Sequence, residues 1–178
     1  MKIYLRNDDL IIRSMKKSDI SKIIYALNDQ GWISHQAKFE SYYEQQKQGL
    51  KFVFIAEKNS EVLGYVTLDA KASYGPFKNH NVPMIIDLNV FKIYQQKGVG
   101  SCLMDACERV AFSLSNQVCL GVGLHHGYGN AQRLYIKRGY VPDGTGVWYH
   151  DHIATPYQIV ENNDDLNLFL VKNKVGLN

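Results

Sequence analysis

Residues 82–112 constrain this chain more than any other stretch. From Met84 to Phe91 the residues are mostly branched and apolar, bounded by Pro83 and by a polar run from Lys92, which predicts a buried strand. Gln95-Gln96-Lys97-Gly98-Val99-Gly100 follows. Val99, Leu103, Cys107, Val110 and Leu114 then recur at spacings of three or four, with Met104 and Ala111 widening the stripe, so a helix is predicted. A strand thus feeds a glycine-punctuated loop that opens a helix. The first N–H groups of a helix lack partners within it and carry partial positive charge, and glycines let an anion approach the backbone. Lys97 adds a mobile cation, so the loop suits a phosphate. A Walker loop is absent, and a dinucleotide G-x-G-x-x-G fails because the residue three beyond Gly100 is Leu103.

The rest of the chain supplies a partner for that unit. Asp9 to Arg13 reads as a first strand, and Ser18-Asp19 starts a helix with Ile20, Ile23, Ile24 and Leu27 on one face. A second helix runs from about Phe39 to Gln48 and ends at Gly49. Its aromatics Phe39, Tyr42 and Tyr43 could line a cleft, although core packing is the default. Phe52 to Glu57 and Val62 to Leu68 are strands joined by the polar turn 58–61. Val118 to Val122 is a short branched strand. Asn130 caps a helix to about Arg138 that Gly139 closes, Tyr140-Val141 starts a strand that residues 145–149 extend or pair with, and Leu166 to Val171 is the last strand. This order predicts a mixed sheet covered by helices.

At 178 residues the chain suits one domain, residues 1–178, with a full core. Net charge is +3 with scattered lysines, which argues against a dedicated nucleic-acid surface. No apolar run approaches a membrane span, and the N-terminus lacks a signal-peptide core. Cys102, Cys107 and Cys119, odd in number and without C-x-x-C spacing, point to reduced, mostly buried thiols and a cytoplasmic setting.

Two motifs carry a resemblance. Gln95-x-x-Gly98-x-Gly100 directly after a strand resembles the acyl-coenzyme A pyrophosphate loop of the GNAT acetyltransferase superfamily, Gln/Arg-x-x-Gly-x-Gly/Ala. Asn130-Ala131-Gln132-Arg133-Leu134-Tyr135-Ile136-Lys137-Arg138-Gly139-Tyr140 is similar to the second signature, Asn-x-x-Ala-x-x-Leu-Tyr-x-x-x-Gly-Phe, with the alanine drawn up against Asn130. The resemblance covers nearly the whole chain. It implies a mixed α/β fold whose mostly antiparallel sheet is splayed at the central strands, with helices on both faces. It also implies acetyl-coenzyme A as cosubstrate and N-acetyl transfer to a primary amine, most simply on a small molecule, by direct ternary-complex transfer. A non-catalytic acyl-coenzyme A sensing module is the alternative, and a homodimer is left open.

The same resemblance assigns residues. Main-chain groups of Leu88 and Val90 would hold the pantetheine arm, and Gln95, Gln96, Lys97, Gly98, Val99, Gly100 and Ser101 the pyrophosphate, with Asn130 also on the cofactor side. Tyr135 matches the tyrosine that protonates the departing thiolate, and a phenol pKa near 10 suits that role. Many relatives carry a glutamate where this chain has Ile86, so the base falls to Asp87, which alternation places on one face with Asn89, or to His125 or a water chain. His150 and His152 would share a face of a strand, but no further ligand is evident and no metal is expected.

Overall fold

The computed structural model describes residues 1–176. Among them are nine strands and four α-helices, with one parallel strand pairing and the other registered pairings antiparallel, which is the expected mixed α/β class. The chain forms two compact units.

The first unit comprises residues 1–70 and 86–110. Its strands are β1 (Ile3–Asn7), β2 (Leu10–Ser14), β3 (Lys51–Lys58), β4 (Glu61–Asp69) and the later part of β5 (Met84–Val90), adjacent in that order. The β3–β4 hairpin turns at Asn59 and Ser60, with φ of 49° and 67°, the two left-handed residues that match a hairpin to the twist of its strands. Helix α1 (Asp19–Asp29) buries Ile20, Ile23 and Leu27, and α2 (Gln36–Lys47) buries Phe39, against Val53, Ile55, Tyr65 and Phe91. Most of α3 (Val99–Leu114) belongs here, with Leu103, Met104 and Cys107 buried.

A polar clamp lies inside this unit. Arg13 on β2 is fully buried and grips Asp19 in a fork, Nη1 to Oδ2 at 2.6 Å and Nη2 to Oδ1 at 2.8 Å, and its Nε reaches Glu57 Oε2 on β3 at 2.9 Å. Planar bidentate pairing is the geometry in which a guanidinium withstands burial. Asp19 Oδ2 also accepts the Lys16 N–H at 2.7 Å. Ser18 accordingly makes no side-chain cap bond, contrary to the usual role of a serine there, and α1 is anchored through Asp19.

The second unit comprises residues 71–85 and those from 111 onward. Met84 and Ile85 of β5 pair in parallel with Cys119 and Leu120 of β6 (Gln117–Gly123). The order continues β6, β9 (Leu166–Asn173), β7 (Val141–Tyr149), β8 (His152–Ile153). Helix α4 (Gly129–Lys137) ends at Gly139, which has φ of 85° as expected of a left-handed closing glycine.

Several expectations need correction. Strand β1 was not expected, because its residues are exposed or half-buried and show little alternation. Helix α2 starts at Gln36, three residues before Phe39, behind a His35 cap that makes no side-chain bond. Leu114 is exposed, since α3 ends as its stripe leaves the core. Asn130 does not cap α4: a 3-10 turn at residues 126–128 runs directly into the helix, which begins at Gly129, so Tyr128 holds the cap position. Residues 141–149 form one strand whose register against β9 jumps between Pro142 and Val147, where Gly144 and Gly146 take left-handed φ. His150 and His152 do not share a strand face, because His150 and Asp151 are the left-handed residues of the β7–β8 turn.

Candidate active site

The strand, glycine loop and helix form in the order the spacing predicts. After β5 a 3-10 turn at residues 92–94 leads into Gln95, Gln96, Lys97 and Gly98, all exposed, and α3 starts at Val99. Gln96 and Gly98 take φ of 59° and 80°. Left-handed residues just before a helix turn successive N–H groups toward one concavity, and the helix start adds its own. Cys102 N–H donates to Gly98 O at 3.1 Å, the first bond of the helix, so Val99, Gly100 and Ser101 present the N–H groups of its opening turn. A Cβ at Gly98 would meet no atom within 4 Å, so the space above the loop is open. Lys97 Nζ rests on Ile93 O at 2.9 Å from an exposed position. The Gln95 side chain donates to Val90 O at 2.9 Å, tying the loop to the end of β5. Beside it is a cavity of about 370 Å³ with Leu63, Tyr94, Lys58 and Lys97 in its lining.

Upstream on β5 the backbone departs from regular strand geometry. Asp87 has φ of 55°, and the Ile86 carbonyl accepts from Thr67 Oγ1 at 2.8 Å. A left-handed aspartate inside a strand is strained and marks a bulge that re-aims its neighbours. Here it turns the Asp87 carboxylate toward α2. Tyr42 OH donates to Oδ2 at 3.1 Å, Tyr65 OH donates to Oδ1 at 3.2 Å, and Lys38 Nζ lies 2.6 Å from Oδ2. Burial and the neighbouring Asp87 charge hold the Tyr65 phenol well above its usual value, so it remains a donor. An Asn89 side-chain hydrogen bond to the same phenol acts the other way, lowering it. Asn89 Oδ1 is buried and has no hydrogen-bond partner among the described residues. Lys51, buried and ion-paired with Asp69, faces the Tyr42 ring at 4.9 Å.

In the second unit Tyr135 is 7% exposed on α4, its ring tilted 5.9 Å from that of Tyr140. Asn130 is exposed on the opening turn of the same helix. His125 has both ring nitrogens engaged. Nδ1 accepts the Gly127 N–H at 3.1 Å, which leaves Nε2 as the donor to Asp164 Oδ1 at 3.0 Å, and Tyr128 OH donates to the same oxygen at 2.9 Å. These two bonds hold the Asp164 carboxyl below its usual range. A histidine so bound has no lone pair to offer as a base, so it organises its turn. The thiols of Cys107 and Cys119 are buried and Cys102 is half-buried; burial pushes Cys119 up to about 12, an inert thiol.

Sequence reasoning singled out the loop and Asp87, but not Lys38 and Tyr65, which contact the Asp87 carboxylate, or Thr67, which bonds the Ile86 carbonyl. Tyr42 was visible as one of the aromatics of α2, and it serves the carboxylate as well as packing.

Residues 21–140 match the sequence model of the acetyltransferase (GNAT) family. No curated protein matches the chain. Among solved structures, Ard1 of Thermoplasma volcanium is 19% identical, with TM-score 0.68 over 94% of this chain and 99% of its own. The Salmonella typhimurium protein yncA, solved with its cofactor acetyl-CoA, is 18% identical, with TM-score 0.67 over 93% and 94%. Mutant forms of the spermidine/spermine N-acetyltransferase SpeG of Vibrio cholerae are 16% identical, with TM-score 0.65 over 94% and 95%. At these identities the likeness establishes the fold.

Proposed function

This chain belongs to the acetyltransferase (GNAT) family, and from that premise we propose that it moves an acetyl group from acetyl-coenzyme A to a primary amine on a small molecule. Transfer is direct within a ternary complex, carried out by one catalytic domain over residues 1–178. The observation that carries this reading is the open, left-handed approach to α3: Gln96 and Gly98, free space above Gly98, and the exposed Lys97.

Acetyl-coenzyme A, the family's cosubstrate, supplies an activated thioester. The residues present fit it. Gln95 to Ser101 would hold the pyrophosphate, Asn130 would lie on the cofactor side, and main-chain groups of Leu88 and Val90 would hold the pantetheine arm. The Val90 carbonyl already takes the Gln95 amide, so an amide of the arm must share or displace it. Asn89 Oδ1, buried and without a partner among the described residues, is the kind of acceptor a ligand N–H completes.

Asp87 takes the proton that the amine loses, its two oxygens oriented by Tyr65 and Tyr42. With His125 bound at both nitrogens, the carboxylate is the better-placed group. Tyr135 gives a proton to the departing sulfur. The small-amine reading is supported by the fold shared with the spermidine/spermine N-acetyltransferase. Three reduced cysteines agree with a cytoplasmic setting, and no helix among the described residues is long and apolar enough to cross a membrane.

Coenzyme A should raise the melting temperature by ligand linkage. Gly98→Ala introduces only the left-handed strain of about 1–2 kcal/mol, whereas Gly98→Asp adds a carboxylate against the pyrophosphate. The shift should survive the first change and vanish in the second; its persistence in Gly98→Asp sinks the assignment of the loop. Thiol release across a panel of amines, spermidine included, then tests catalysis, and release with none of them leaves only the binding module.

A further inference from the structure

Lys38 is a primary amine placed where the acceptor amine should be. Its Nζ lies 2.6 Å from Asp87 Oδ2, within the reach over which a base takes a proton. The carboxylate is not free to turn away, since Tyr65 holds Oδ1 and Tyr42 shares Oδ2. Leu88, assigned above to the pantetheine arm, is the next residue, with its Cα about 3.8 Å along the chain. Lys38 is 45% exposed, so its ammonium is reachable from solvent, whereas Lys51, the other lysine beside Tyr42, is 5% exposed and paired with Asp69.

We propose that Lys38 is a site of self-acetylation: the chain transfers an acetyl group to its own Lys38 Nζ. The proposal rests on the reading that Asp87 faces the acceptor. An amide bond forms between Nζ and the acetyl carbon while the carbon–sulfur bond of acetyl-coenzyme A breaks. The ammonium loses two protons, one to solvent through Asp87 and one to the departing sulfur, which leaves as the free thiol. No further reactant is needed. The product is a neutral amide, which ends the ion pair with Asp87 and the cation contacts to the Phe39 and Tyr42 rings at 5.6 and 5.7 Å. Modification therefore unmasks the carboxylate for an external amine.

The test is incubation of the full chain with acetyl-coenzyme A alone, followed by peptide mass mapping. Lys47 is the internal control, since it is 56% exposed and also pairs with a carboxylate, Glu44, at 2.9 Å. Lys38 should gain acetyl at least about a hundred times faster than Lys47, the low end of what general-base assistance supplies, and Asp87→Asn should bring the two rates together. Lys38→Arg, which keeps the charge, should abolish the one equivalent of thiol released without added amine. That variant serves if Asp87→Asn does not fold. Equal labelling of Lys38 and Lys47 in the wild type overturns the proposal. If coenzyme A still raises the melting temperature and an added amine is still turned over, the proposed function stands without it. Loss of the coenzyme A shift in the wild type would overturn both.

Discussion

Gly64 sits mid-strand in β4, opposite Ala56 and beside a register shift in β3, and its other neighbour is the later part of β5. A Cβ there would lie 2.4 Å from Asn89 O, 2.9 Å from Val90 Cα and 3.3 Å from Asn89 C. All three are backbone atoms, so no side chain can swing aside. Reaching ordinary contact at 3.4 Å requires β5 to retreat by 1.0 Å, 3.4 less 2.4. The adjoining bond from Phe91 N–H to Leu63 O, now 3.0 Å, would stretch beyond bonding range. Overpacking costs about 1–3 kcal/mol and the lost bond about 1 kcal/mol. The stiffer unfolded chain returns about 0.4–1 kcal/mol, so Gly64→Ala should destabilise by about 1–4 kcal/mol in urea unfolding. It also moves Leu88 to Val90, where a 1 Å misplacement is worth about a hundredfold in rate. Gly129→Ala is the control, because that glycine is helical with φ of −55° and a Cβ there meets nothing within 4 Å. It should be neutral or stabilise by up to about 1 kcal/mol. A Gly64→Ala protein as stable and active as the wild type would refute the claim that β5 is held at contact distance by this glycine.

Tyr135→Phe keeps the packing against Tyr140 and removes the proton, so turnover should fall about ten- to a thousandfold with coenzyme A affinity unchanged; parallel loss of both would mark a packing role. Asp19→Ala leaves the Arg13 guanidinium buried with Glu57 as its one remaining carboxylate beside the Ser14 carbonyl, and should cost about 3–5 kcal/mol by chemical denaturation, whereas a loss under 1 kcal/mol would mean water or Glu57 replaces the pair. The Tyr65 phenol is raised above 10.0 in the fold, so the stability it lends is whole below the unfolded value and declines as pH rises past about 10. Tyr65→Phe should flatten that alkaline limb in a pH series of melting temperatures, and an unchanged slope would contradict the assignment.

What could be read in advance followed from local pattern. The strand, glycine loop and helix around Gly98 have periodicities that change from element to element, and the turn at Asn59-Ser60 and the close at Gly139 depend on residue types that favour left-handed backbone. The surroundings of Asp87 had no such local mark. Lys38, Tyr42 and Tyr65 come from a helix and a strand far away in sequence, and their hydrogen bonds depend on tertiary packing. Helix α2 shows little apolar periodicity because its inner face is built from Phe39 with half-buried tyrosines. The Arg13 clamp was hidden for the same reason, with Asp19 reading as an ordinary first-turn acid. One available signal was overlooked: a lone glycine inside a strand, Gly64, often records a backbone passing close by.

Strand β9 lies between β6 and β7 although both precede it in the chain. It pairs with β6 from Gln117 to Gly123 and with β7 at Val141–Pro142 and Val147–Tyr149. On a ribosome, where N-terminal segments emerge first, β1 to β4 can pair in the order they are made. Strands β6 and β7 cannot close on each other and must wait with open edges until Leu166 to Asn173 have emerged. Exposed strand edges are templates for pairing with other chains. A nascent chain stalled before Leu166 would therefore carry a formed set of early hairpins and an adhesive, unfinished remainder, so translation speed over residues 124–166 bears directly on the yield of folded protein.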